Sequence, residues 1–162
     1  MSESSFLVSL LTSGSSGNAT YIETPQRKIL VDCGLTGKAI AAQMEKIGRS
    51  VADIDTILVT HEHVDHIKGI GVLARKYGMD IYANEKTWKA MENKNIGVIK
   101  QEQKHLFEPG VTKTFGDIDV MSFAVSHDAA SPQFYSFQKD QKQFVMLTDT
   151  GYVSEKLRKL LY

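Results

Sequence analysis

Thr60-His61-Glu62-His63-Val64-Asp65-His66 follows directly on the β-rich apolar run Thr56-Ile57-Leu58-Val59. A short apolar run of this kind predicts a buried strand over 56–60. The chain holds five histidines and three of them fall in this segment, which argues against a scatter of solvated surface residues. Imidazole and carboxylate together suit zinc, manganese or iron, and the lack of thiolate argues against a zinc finger or an iron–sulfur site. In a tight loop after a strand, residues two apart can turn back toward one point. A helical site would instead place histidines at i and i+4, which this segment does not. Asp65 and His66 are adjacent, so they project differently from the His61/His63 pair. That arrangement suits two neighbouring metals.

Upstream, Phe6–Leu11 and Ala19–Glu23 read as two strands of a hairpin around the turn Thr12–Asn18. Lys28–Asp32 is a third strand. Lys38–Ile47 has helical spacing, with Ile40, Met44 and Ile47 on one face and Gly48 as a stop. Downstream, 69–77 predicts a helix broken by Gly78, 80–83 a strand, and 85–93 a helix capped by Asn84. From residue 98 the pattern is all-β, with strands expected over 104–107, 111–115, 118–125, 133–138 and 143–148. Ser154–Leu161 reads as the start of a helix. The sum is an α+β mixed sheet covered by helices, with no repeat, linker or low-complexity segment.

The 162 residues suffice for one domain with a real core. Lys plus Arg and Asp plus Glu are each 19, so net charge gives no global push toward nucleic acid or membrane. The N-terminus has neither a basic nor an apolar leader region, and no apolar run approaches a membrane span. Cys33 is the one cysteine, so no intrachain disulfide forms, and a cytoplasmic setting is expected. Cys33 itself reads as a small buried side chain. His105 reads as a surface or strand-edge residue, and Trp88 and Met91 as core packing.

His61-Glu62-His63-Val64-Asp65-His66 matches the His-X-His-X-Asp-His pattern of the metallo-β-lactamase superfamily, which the chain resembles in three further places. Leu30-Val31-Asp32-Cys33-Gly34 resembles a strand ending in Asp-X-Gly. Val125-Ser126-His127-Asp128 resembles the later, isolated histidine ligand. Leu147-Thr148-Asp149-Thr150-Gly151 resembles the bridging aspartate. The four motifs stand in the family's order across residues 30–151. Ser13-Gly14-Ser15-Ser16-Gly17-Asn18 and His127-Asp128-Ala129 are similar to the YycJ/WalJ-type group of nucleases within that superfamily.

The resemblance implies an αββα sandwich and two divalent metal ions, zinc or manganese. His61, His63 and His127 would hold the first metal, Asp65 and His66 the second, and Asp149 would bridge them. Asp65 would also help orient the nucleophile. Asp32 would support catalysis by accepting a hydrogen bond from a ligand histidine or by ordering the metal loop. Read on residues alone, Asp32 could equally cap the following helix, Asp149 could be a turn residue, and His127 a buried core histidine. Ser15 and Asn18 in the Gly/Ser turn, and Lys68 beyond the motif, are candidate substrate contacts through phosphate. A plain hairpin and a solvated lysine are the competing readings.

The family pattern includes one more histidine far downstream and a second half of strands and helices. No histidine follows His127. The expectation is therefore an N-terminal portion, truncated in its C-terminal half, with its second metal site short of a ligand. An exposed sheet face and self-association would follow. The implied chemistry is metal-assisted hydrolysis by a water whose pKa is lowered between two cations. A phosphodiesterase acting on DNA is the first reading. A thioester or lactone hydrolase of the same fold, or a catalytically silent metal-binding partner protein, is the alternative.

Overall fold

Alternation along the central strands decides which layer each side chain enters. The computed structural model describes residues 5–12, 17–125 and 132–146. Among them, strands β1 (Leu7–Thr12), β2 (Ala19–Glu23), β3 (Lys28–Val31), β4 (Thr56–Leu58), β5 (Asp80–Ala83) and β6 (Lys104–Leu106) form one sheet in that spatial order. β1, β2 and β3 pair antiparallel, whereas β3 through β6 pair parallel. Strands β7 (Thr112–Phe115), β8 (Ile118–Ala124), β9 (Gln133–Lys139) and β10 (Lys142–Val145) form a second, antiparallel meander.

Tyr21, Leu30, Ile57 and Ile81 face one way and join Ile40, Met44, Ile70 and Leu73 in a helix-side core. Ile22, Ile29, Val31 and Leu58 face the other way and meet Phe115, Val120, Tyr135 and Phe137 of the second sheet. Two cores on opposite faces of one sheet explain why its parallel strands are apolar throughout. Each fully buried aliphatic contributes roughly 1.5–3 kcal/mol.

The helices covering the first sheet start and stop within two residues of the expected bounds. In α1 (Gly37–Lys46) the Thr36 side chain accepts from Ala39 N, and Gly48 lies beyond its end at φ 73°. The cap on α1 is therefore Thr36 and not Asp32. A short turn of helix, α2 (Val64–Ile67), lies inside the histidine segment, where only a loop was expected. It is followed by α3 (Ile70–Tyr77), closed by left-handed Gly78, and by α4 (Glu85–Met91), capped by Asn84. Single 3-10 turns at Val51–Asp53 and Gln101–Gln103 are additions to the expected elements. The helix expected over 154–161 lies outside the described residues.

On the far face of the second sheet Phe123 pairs with Phe134, and both are buried. Trp88 packs against the helix-side core with Met91, and its Nε1 donates to the His105 carbonyl. His105 itself is half-buried on edge strand β6, 3.0 Å from Asp80 Oδ1. No helix among the described residues is long and apolar enough to cross a membrane.

Candidate metal centre

The parallel strands β3 and β4 end side by side, and the two loops that leave them build the site. Asp32 follows β3 at φ 61°, a left-handed conformation that aspartate tolerates better than most residues. That turn carries its carboxylate under the β4 end. Asp32 Oδ1 accepts from Thr60 N at 2.8 Å, and Oδ2 accepts from the Thr60 hydroxyl at 2.7 Å. Oδ2 also lies 2.6 Å from His66 Nδ1, with both side chains fully buried.

These contacts assign the imidazole tautomers. A carboxylate only accepts, so His66 carries its proton on Nδ1 and its lone pair on Nε2. The Thr60 hydroxyl has one proton, which goes to Asp32. It therefore accepts from His61 Nδ1, 2.9 Å away, and His61 also carries its lone pair on Nε2. The His61 and His66 ring centroids are 3.9 Å apart, and those of His61 and His63 are 4.7 Å apart. Asp65 Oδ2 stands 3.6 Å from His66 Nε2. His61, His63, Asp65 and His66, carried by one loop and one helical turn, therefore stand side by side.

Asp65 is held from the other side by Asn18. The Asn18 amide Nδ2 donates to both the main-chain and the carboxylate oxygen of Asp65, each at 3.2 Å. Asn18 N also donates to Asp65 O at 2.8 Å. Asn18 is 5% exposed and lies against Asp65. The Asp32-Cys33-Gly34 loop is laced into the same assembly: Cys33 N donates to His66 O and Gly34 N to Asn18 O. A Cβ at Gly34 would lie 1.8 Å from Asp65 O, so glycine is needed for this approach. Lys68 is exposed just beyond the helical turn. Cys33 is buried, and burial pushes its thiol up to about 12.

Ser15, His127 and Asp149 lie outside the described residues. Among those described, no three His, Cys, Asp or Glu side chains close as a complete ligand set around one point. The donor chemistry nonetheless fits divalent metal: two imidazoles hold their Nδ1 in hydrogen bonds, which leaves Nε2 as the atom that could ligate, and a third imidazole and a carboxylate stand beside them.

Thr60, Gln133 and Tyr135 were missed as site-building residues. Thr60 immediately precedes the first histidine, and a hydroxyl at that position is a readable signal. Gln133 and Tyr135 occupy inward positions on β9, next to the apolar Phe137. A glutamine on that inward row is the only local hint.

Residues 27–162 match the family model described as the Beta-lactamase superfamily domain. The chain is 63% identical over 158 residues to the protein named exodeoxyribonuclease WalJ of Streptococcus pneumoniae, covering 97% of this chain and 59% of that one. It is 55% identical over 150 residues to exodeoxyribonuclease YycJ of Bacillus anthracis, covering 93% and 56%. The chain thus spans under two thirds of the length of these relatives. Among solved structures it resembles Rm3 metallo-beta-lactamase with a TM-score of 0.69 at 19% identity, over 91% of this chain and 65% of that one. It resembles metallo-beta-lactamase SMB-1 with a TM-score of 0.67 at 21% identity, over 88% and 62%. At such identities these two establish the metallo-β-lactamase fold alone.

Proposed function

Because this chain belongs to the β-lactamase superfamily, we propose that its histidine loop is the core of a metal-dependent phosphodiesterase that acts on DNA as an exonuclease. The carrying observation is the Asp32–Thr60 network, which fixes two buried imidazoles as Nε2 donors beside Asp65. Surface histidines need no such support, and ligands do. The relatives named exodeoxyribonucleases supply the substrate class.

In this reading His61, His63 and His127 would hold one divalent cation and Asp65 and His66 a second, with Asp149 a further carboxylate ligand. Zinc and manganese both suit the donor set. Such cations would supply Lewis acidity toward a phosphodiester and an activated water near neutral pH.

The chain's own residues do the positioning. Asp32 holds His66 and the Thr60 main chain, and Thr60 passes that constraint to His61. Asn18 fixes the rotamer of Asp65, which leaves the carboxylate partly open toward substrate. Lys68, exposed beside the loop, can neutralise a phosphate of the bound strand. Ser15, outside the described residues, remains a candidate contact to the same strand from its Gly/Ser-rich sequence. A reducing, cytoplasmic setting is consistent with Cys33 as a buried free thiol.

The test is metal content by plasma mass spectrometry together with cleavage of end-labelled DNA, on wild type and His61→Ala. Bound divalent metal and DNA cleavage, both lost in His61→Ala, are expected. Metal binding with turnover of a thioester or lactone and no DNA cleavage would favour a small-molecule hydrolase. Metal or DNA binding with no hydrolysis would favour a silent partner protein.

A further inference from the structure

Gln133 opens strand β9, at the seam between the two sheets, and its side chain and main chain reach three adjacent strand ends. Its main-chain N donates to Thr60 O at 2.9 Å, immediately before His61. Its Nε2 donates to Phe107 O at 2.9 Å, just past β6, and to the Tyr135 hydroxyl at 2.8 Å. Its Oε1 accepts from Asn84 Nδ2 at 2.9 Å, just past β5. The Tyr135 hydroxyl in turn donates to Val59 O at 2.5 Å, just past β4. Asn84 completes the set as the cap of α4, accepting from Thr87 N at 2.8 Å.

Every proton in this set has one direction. The glutamine amide uses both N–H groups and its oxygen, and the phenol donates once and accepts once. Gln133 and Tyr135 are fully buried, where a misplaced polar group is costly and a satisfied one is rigid. The set is also placed where rigidity matters. Val59 and Thr60 are the two residues through which β4 becomes the histidine loop. Asp32 grips Thr60 from the β3 side, and Gln133 and Tyr135 grip Val59 and Thr60 from the second sheet.

The geometry points to Gln133 and Tyr135 as positioning residues that clamp the main chain at 59–60 and so set where the His61 loop stands. Neither residue touches the donor atoms. They act through Val59 and Thr60, as supporting shells around metal ligands do. The functional half of this inference rests on the metal-site reading above, and the structural half does not.

The experiment measures hydrogen exchange at residues 59–66 in metal-free protein, and metal affinity by chelator competition. It uses wild type, Gln133→Met and Tyr135→Phe. Both substitutions keep the buried volume near constant, and Tyr135→Phe guards against a Gln133 variant that fails to fold. Gln103→Leu serves as the control. It removes another buried glutamine, which donates to Ala74 O and Met79 O at the opposite end of the strands. Faster exchange at 59–66 and at least tenfold weaker metal binding are expected in the two clamp variants, without either change in the control at a matched fall in Tm. Exchange at 59–66 no faster than in the control would overturn the clamp. If exchange quickens but wild type binds no divalent metal, the clamp stands and the metal-site reading falls. If exchange quickens and metal affinity is unchanged, the clamp is structural only and its positioning role is overturned.

Discussion

Asp32 Oδ2 and His66 Nδ1 lie 2.6 Å apart with both side chains sealed from solvent, joining the end of β3 to the helical turn that follows β4. This contact orients His66 and fixes its tautomer, while the same oxygen takes the Thr60 proton. Asp32→Asn keeps the shape but replaces one of two accepting oxygens with a donor, so it must lose either Thr60 or His66. Metal affinity measured against a chelator series is expected to fall about 10- to 100-fold. Stability should fall by about 1.5–3 kcal/mol in urea unfolding of metal-free protein. An unchanged affinity would show that metal binding does not depend on the full set of Asp32 contacts.

Asn18 and Asp65 give a second, separable effect. Asn18→Ala removes the amide that holds the Asp65 carboxylate but leaves His61, His63 and His66 as they are. On the two-metal reading proposed above, one equivalent of metal should be retained while the second is weakened about tenfold or more. Isothermal titration with manganese would resolve the two. Equal weakening of both equivalents would place Asp65 and the histidines on a single shared site.

Much of this architecture was legible before the structure. The strands at 19–23 and 80–83 and the caps at Gly78 and Asn84 were readable because period and punctuation are local properties of the chain. The histidine loop was readable because its donors are contiguous. Contacts that join distant segments were not. Asn18 meets Asp65 across 47 positions, and Tyr135 meets Val59 across 76. No local pattern encodes which of two buried polar residues will find the other. Asp32 was read as strand, yet it stands at positive φ just past β3, where its carboxylate meets Thr60 and His66.

Gly34 tests the close packing of the two loops. A methyl group there would overlap the Asp65 carbonyl at 1.8 Å and approach Asn18 N at 2.7 Å, and both are backbone atoms that cannot swing aside. Gly34→Ala should therefore destabilise the fold by about 1–3 kcal/mol or more through overpacking. It should also separate Asp65 from Asn18 and lower metal stoichiometry. Gly48→Ala is the control. No atom lies within 4 Å of a Cβ at Gly48, so only the left-handed backbone penalty applies. Equal losses from the two substitutions would remove the steric argument.

Cys33 lies between Asp32 and Gly34 and is sealed from solvent. Burial raises its thiol to about 12, and the neighbouring Asp32 charge adds to the rise. At pH 8 the folded chain should hold about a thousandfold less thiolate than free cysteine. Labelling with a chromogenic disulfide should be very slow in buffer and quick in denaturant. Fast labelling of the folded chain would mean that the loop carrying Asp32 opens readily.

Glu23 makes a pH prediction away from the site. Its carboxylate is buried at the end of β2 and accepts from Arg49 Nε at 2.7 Å, from Arg49 Nη2 at 3.1 Å and from the Tyr21 hydroxyl at 2.6 Å. The Arg49 hydrogen bonds hold its pKa below the ordinary carboxylate value, outweighing the burial that raises it. A lowered folded value means the unfolded chain binds the proton first as pH falls. The stability from this pair is therefore complete above the ordinary carboxylate range and is lost as pH falls through the folded value. Glu23→Gln removes the titration. Across the acid limb, the slope of unfolding free energy against pH should shrink by up to about one proton. Urea unfolding at pH steps from neutral down to acid measures that slope in both proteins. Parallel acid limbs would show that Glu23 titrates alike in the folded and unfolded chain, and that its contact with Arg49 adds no pH-dependent stability.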